Sequence, residues 1–238
     1  MNVKFVDLKK NLECLKSELS EKIQDFLFND CYYINGPQVK EFENNFAKYI
    51  GCDYCVGLNS GTDAIKLAIK MLGLKPDDEI LVQGNTFIGT VSGAAELGCK
   101  LRIIDIDPET FMIDITKIER NITEKTKAII IVHLYGICPD MNIIMNIAKK
   151  HNLFVIEDTC QAHGAYYNNT RLGSIGDVGC FSFYPSKNLG GMGDGGAITT
   201  NNKELYDKIS VLRNCGAYKK YYHKYTGVNS RLDSFQAI

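Results

Sequence analysis

Short apolar runs, mostly β-branched, recur between helical stretches, and that alternation constrains the fold of this chain more than any other feature. Ala128–His133 and Leu153–Glu157 are the strongest runs and read as strands buried on both faces. Shorter strands are predicted at Tyr54–Leu58, Ile80–Gln83, Leu101–Ile106, Val178–Phe183 and Ala197–Thr200. Helices are predicted between them: Ala64–Leu72, Thr86–Leu97, a short one after Asp114, Asp140–His151 and Lys203–Arg213, with another starting near Ser230.

Two helices precede the first strand. Leu12, Leu15, Leu19, Ile23 and Leu27 recur at helical spacing, which predicts an amphipathic helix over Leu8–Leu27. Gly36-Pro37 breaks the chain, and Pro37 suits the first turn of a second helix carrying Val39, Phe42, Phe46 and Ile50 on one face. Strands alternating with helices imply an α/β fold in three layers, with a mostly parallel mixed sheet covered on both sides. Ligands of such sheets bind at the carboxyl ends of the strands.

Composition narrows the class. The chain has 238 residues, 45% hydrophobic and 23% charged, which excludes a disordered tail, a collagen and a small disulfide scaffold. Lys plus Arg number 27 and Asp plus Glu 28, for a net charge of −1. A near-neutral chain lacks the electrostatic footprint of a nucleic-acid or anionic-membrane binder, so small molecules or copies of itself are the expected partners. The nine cysteines are odd in number and mostly set in apolar runs, which predicts reduced, buried thiols and a cytoplasmic location. The first ten residues lack the apolar core of a signal peptide, and no run approaches the length of a membrane span. The sequons at Asn121 and Asn168 are then expected to stay unglycosylated.

Four segments carry chemistry. Asn59-Ser60-Gly61-Thr62-Asp63 joins a strand to a helix. Backbone amides at a helix N-terminus, a hydroxyl and a glycine make a phosphate cup, although Ser60 also fits an ordinary N-cap. Glu157-Asp158 ends a buried strand, and Gln161 follows; a carboxylate held in low dielectric needs a cationic partner. Lys187 lies among aromatics and glycines directly after a buried strand, in Ser182-Phe183-Tyr184-Pro185-Ser186-Lys187, where an amine can act as nucleophile or base, although a loop lysine reaching solvent also fits. Asn229-Ser230-Arg231-Leu232-Asp233 flanks a helix start. The run Gly191–Gly196 satisfies G-x-G-x-x-G, but it precedes a strand, so a dinucleotide site is rejected. Cys52-Asp53-Tyr54-Cys55 lacks a second ligand pair at zinc spacing, and no metal site is expected.

One cofactor uses these parts together. Pyridoxal 5′-phosphate (PLP) needs a lysine, an acid at its ring nitrogen, a phosphate cup and a flat side chain against its ring. Lys187, Asp158, Ser60–Thr62 with Ser182, and Phe87 can fill those roles.

With these motifs in this order, the chain from Phe5 to Ile238 resembles the DegT/DnrJ/StrS sugar aminotransferases, a branch of the fold-type I PLP enzymes. The resemblance implies that Lys187 bonds the cofactor and moves the proton, that Asp158 holds the ring nitrogen, and that Gln161 sits at the phenolic oxygen. It implies phosphate contacts from Gly61, Thr62 and Ser182, with Asn229 contributing one across a homodimer interface, and an aromatic stack from Phe87. His163 and Tyr184 are implied near the sugar. The basic aromatic stretch Tyr218–Tyr225, Lys219 included, is a candidate for the substrate's diphosphate or base, and equally fits a solvated loop.

The implied reaction takes an amine from L-glutamate and delivers it to a keto group of a nucleotide-linked sugar. Ser230 after Asn229 resembles the carbon-3 enzymes, whereas carbon-4 enzymes more often carry tyrosine there. That favours a 3-keto-6-deoxyhexose or a related 3-keto sugar on dTDP or UDP, with a 4-keto sugar as the alternative. A related dehydratase branch replaces the lysine by histidine, and Lys187 argues against it. A regulator or pseudoenzyme would be expected to lose Lys187 or Asp158, and both are present. The expected division is a helical segment over 1–36, the cofactor-binding domain over 37–226, and, at 227–238, the start of a connection to a smaller C-terminal domain. Family members continue well past Ile238, so the chain is expected to be a piece of a longer protein or a shortened enzyme.

Overall fold

The computed structural model describes residues 3, 4 and 6–238; Phe5, where the resemblance begins, lies outside the described residues, as do Met1 and Asn2. The helices are α1 (Leu8–Leu12), α2 (Lys16–Asp25), α3 (Pro37–Ile50), α4 (Gly61–Leu72), α5 (Gly89–Glu96), α6 (Ile115–Ile118), α7 (Met141–His151), α8 (Lys203–Leu212) and α9 (Ser234–Ala237). The strands are β1 (Tyr54–Leu58), β2 (Glu79–Gln83), β3 (Lys100–Ile104), β4 (Thr126–Val132), β5 (Phe154–Asp158), β6 (Tyr166–Tyr167), β7 (Thr170–Arg171), β8 (Val178–Ser182), β9 (Gly196–Thr200), β10 (Ala217–Lys219) and β11 (Tyr222–His223).

Seven strands form one sheet in the order β1-β9-β8-β5-β4-β2-β3. Strand β9 runs antiparallel to β1 and β8, and the other four pairings are parallel. Side chains alternate across a strand, so Ile130 and Ile156 face the layer of α4, α5 and α8, whereas Ile129, Ile131 and Val155 face α7. Helix α3 covers the other end of that second face, with Phe46 edge-on to Phe181 and Phe183. The αβα layering expected from the alternation is present.

Several boundaries differ from expectation. The predicted helix Leu8–Leu27 is split into α1, a 3-10 turn at Glu13–Leu15, α2 and a π-helical turn at Phe26–Asp30 that ends at left-handed Cys31. Its leucine stripe also stays largely open within this chain: Leu12, Leu15 and Leu27 are exposed, Leu19 and Ile23 are half-buried, and Phe26 is buried against Tyr33 and Phe235. The helix predicted from Thr86 begins at Gly89, and the one anticipated from Ser230 begins at Ser234, capped by Asp233. The strand predicted to Ile106 ends at Ile104, leaving Ile106 an isolated bridge to Ile113.

The cysteine expectation holds only in part. Cys52, Cys55, Cys99 and Cys180 are buried, but Cys14, Cys31 and Cys215 are exposed because they lie outside the core-forming elements. Burial pushes the Cys52 thiol up to about 12 and the Cys55 thiol well above its ordinary range, the reverse of what a metal thiolate requires. Among the described residues, no helix is long and apolar enough to cross a membrane, and no cluster of three or more His, Cys, Asp or Glu is placed to hold a metal ion.

Candidate active site

The carboxyl ends of β4, β5 and β8 and the N-termini of α4 and α5 enclose a cavity of about 520 Å³. Asp158 ends β5, Ser182 ends β8, and Lys187 lies in the loop after β8; all three line this one cavity. The expected meeting of amine and carboxylate therefore occurs on one face of the sheet.

The cup is built by close backbone approach. Ser60 caps α4 by accepting the Asp63 N–H at 3.1 Å, which leaves Gly61 and Thr62 at the cavity wall. A Cβ on Gly61 would fall 2.6 Å from the Ser182 Cβ and 2.8 Å from the Cys160 Sγ. A Cβ on Gly196 would fall 2.3 Å from the Ser60 carbonyl oxygen. Both positions exclude a side chain, so helix α4 presents its free N–H groups directly to the cavity.

The Lys187 loop is closed on itself. The Lys187 N–H donates to the Tyr184 carbonyl at 2.8 Å, and the Gly191 N–H to the Phe183 carbonyl at 2.8 Å. The glycine run after it leads into β9, as its rejection as a dinucleotide motif requires.

Asp158 is 5% exposed, and among the described residues no cation pairs with it. The Thr90 hydroxyl donates to its Oδ2 at 2.7 Å and the Cys160 N–H to its Oδ1 at 3.2 Å. A buried, unpaired carboxylate is costly unless a ligand brings a positive charge. The Gln161 oxygen accepts the Tyr135 N–H at 3.2 Å, which leaves its amide nitrogen as a donor at the cavity wall. Phe87 stands at the rim, 68% exposed, and Tyr184 lines the mouth.

The carboxylate pair read from the sequence is divided by the pleat. Glu157 points to the opposite face, fully buried, where it accepts His133 Nε2 at 2.9 Å and the N–H groups of Gly173, Ile175 and Gly176 at 2.7–2.9 Å. Burial alone would push its carboxyl up, but His133 and these backbone donors outweigh burial and hold it below the usual range.

Three expected residues are not brought to this cavity. His163 packs its ring against Phe181 and Phe183 behind β8, because the sheet lies between it and the cup. Burial pulls its pKa down to about 4. Lys219 sits on the exposed β10–β11 hairpin with its ammonium over the Tyr222 ring. Asn229 is exposed and bridges to Asn214, away from the cavity of its own chain. Sequence reasoning missed Thr86, Thr90, His133, Cys160 and Asp194, which line the cavity. For Thr86 and Thr90 the i,i+4 spacing of two hydroxyls near a helix start was the available signal.

Comparison with known proteins agrees with this geometry. The profile of the DegT/DnrJ/EryC1/StrS aminotransferase family matches residues 13–238. A pleiotropic regulatory protein of Geobacillus stearothermophilus is 45% identical over 237 residues, covering 100% of this chain and 63% of that protein. The dTDP-3-amino-3,6-dideoxy-α-D-galactopyranose transaminase of Aneurinibacillus thermoaerophilus is 47% identical over 235 residues, covering 99% and 64%. The UDP-N-acetyl-3-dehydro-α-D-glucosamine 3-aminotransferase of Acidithiobacillus ferrooxidans is 44% identical over 236 residues, covering 99% and 64%. Among solved structures, S. venezuelae DesV in complex with a ketimine intermediate superposes with a TM-score of 0.96 at 41% identity, covering 99% of this chain and 63% of that one. NtdA of Bacillus subtilis with bound cofactor PMP gives 0.90 at 33% identity, covering 99% and 54%. The chain thus spans a little under two thirds of the length of these curated relatives. The family is PLP-dependent, and the cup, the unpaired Asp158 and Lys187 fit that cofactor. The chain belongs to the DegT/DnrJ/EryC1/StrS aminotransferase family.

Proposed function

We propose that this protein moves an amino group from L-glutamate to a 3-keto, nucleotide-linked sugar, dTDP- or UDP-linked, for amino-sugar biosynthesis. The observation that carries the reading is the placement of Lys187 and the unpaired, buried Asp158 on one cavity beside the α4 N-terminus. When bound, PLP supplies an aldehyde for an incoming amine and a protonated ring that accepts an electron pair.

The chain's own residues supply the rest. The Asp158 carboxylate, oriented by Thr90 and the Cys160 N–H, would hold the proton on the ring nitrogen. Lys187 would hold the cofactor through its amine and, once freed, its Nζ would serve as the general acid–base group that moves a proton, a role worth about 10²–10⁴-fold. Gly61, Thr62 and Ser182 would hold the phosphate, Gln161 would donate to the phenolic oxygen, and Phe87 would flank the ring; all five line the cavity. Tyr184 contacts the sugar from the cavity mouth. Asn229 lies outside its own chain's cavity, which suits a residue lent to a neighbouring copy in a cytoplasmic homodimer. Ser230 and the 3-amino relatives support carbon 3.

The test is the full-length protein incubated with L-glutamate and a panel of 3-keto and 4-keto nucleotide sugars. Formation of a 3-amino sugar is expected, and a strong preference for 4-keto substrates overturns the carbon-3 assignment. The regulatory relative favours a second, non-catalytic reading. A protein that stays colourless with added PLP, and yields no borohydride-fixed peptide at Lys187, supports that alternative.

A further inference from the structure

The phosphate cup is tied to a part of the chain 171 residues away. Asn59 lies between β1 and the Ser60 cap of α4. Ser230 is fully buried, and its hydroxyl donates to the Asn59 Oδ1 at 3.0 Å while accepting the Asn59 N–H at 3.4 Å. Both capacities of that hydroxyl are directed at one residue. The Ser230 backbone is fixed in turn, because its N–H donates to the Arg213 carbonyl at 2.9 Å. Arg213 reaches Glu43 and the Gly57 carbonyl of β1, so the base of the cup and the Ser230 segment share one frame. The residue before Ser230 is Asn229, exposed and bridged to Asn214, whose side chain accepts Arg231 Nη1 at 2.8 Å.

We propose that the Ser230 hydroxyl is a latch that sets the phosphate cup of its own chain and, through the adjoining Asn229, the phosphate site of a neighbouring copy. The second half rests on the reading that Asn229 serves that neighbour. A phosphate drawn to the α4 N-terminus orders Asn59; Asn59 orders Ser230; and Ser230 holds the backbone that presents Asn229. Filling one site therefore favours filling the other, and the coupling is reciprocal. Ser230 does not line the cavity, so it is a positioning residue that acts through Asn59.

The test is titration of the cofactor-free, full-length protein with PLP, followed by visible absorption, for the wild type, S230A, N59A, the double variant and N229A. Loss of one hydrogen-bond pair is expected to weaken binding about three- to ten-fold in each latch variant. The double variant should bind as weakly as either single one, and a Hill coefficient above one in the wild type should fall to one in S230A. Wild-type affinity in S230A, or independent effects that multiply in the double variant, overturns the latch. Should S230A fail to fold, N59A carries the same comparison from the cup side. Unchanged binding in N229A overturns the neighbour reading, and with it the coupling between copies, while the S230A and N59A cycle still decides the latch within one chain.

Discussion

The Thr90 hydroxyl donates to the Asp158 Oδ2 at 2.7 Å, and Thr86 Oγ1 lies 2.7 Å from Thr90 Oγ1 on the other side. Two hydroxyls near the start of α5 thereby aim the buried carboxylate that ends β5. Removing the donor in T90V is expected to weaken PLP binding about three- to ten-fold, the net worth of one hydrogen bond, with folding retained. Cofactor titration and a thermal melt check this.

On the proposed reading Asp158 serves as a fixed charge, and among the described residues no cation pairs with its buried carboxylate. D158N should therefore fold well: the cofactor-free form is expected to melt about 2–4 °C higher, corresponding to about 1 kcal/mol of relieved burial cost. The same variant should lose turnover by orders of magnitude more than it changes stability. A cofactor-free melt below that of the wild type would count against an unpaired charge at this site.

Lys187 is the amine of the cavity. K187A is expected to retain phosphate-anchored cofactor but to lose the borohydride-fixed peptide, and to fall in turnover by about 10²–10⁴-fold. Peptide mass mapping after reduction, with kcat in parallel, reads both.

Gly61 is confined by Ser182 and Cys160, which a methyl group at this position would meet at 2.6 and 2.8 Å. G61A should force the cup apart, costing about 1–3 kcal/mol of stability through overpacking. It should also abolish tight PLP binding, because the added methyl separates the α4 N-terminus from Ser182. Denaturant midpoints and a PLP titration test the two effects separately.

His163 has its pKa pulled from 6.5 down to about 4, first by burial, with the nearby Lys187 charge adding to it and the Ser182 backbone and Asn188 opposing it. The unfolded chain then binds more protons than the folded one between these values, so the contribution is complete above about pH 6.5 and is lost as pH falls toward 4. H163Q should flatten that part of the stability-versus-pH curve. Thermal midpoints of both proteins from about pH 4 to 7 provide the comparison, and parallel curves would contradict a titrating His163.

Much of the site was legible locally. Lys187 follows a strand, Asp158 ends one, and Ser60-Gly61-Thr62 opens a helix; these are short-range relationships, and strand ends in an α/β sheet converge on one edge. The apolar periodicity likewise marked α3, α4, α7 and the strands β4 and β5.

What required the tertiary structure was orientation. Glu157 and Asp158 are neighbours in sequence, yet the pleat sends one to the backbone N–H groups of Gly173, Ile175 and Gly176 and the other to the cavity. The same geometry hides His163 behind β8 and brings Thr90 onto a carboxylate 68 positions away. Residue types and local periods determined which elements form and which chemistry they carry. Which side chains meet was decided only by packing, because contacts between distant segments depend on how layers and strand faces stack and leave no mark in local spacing.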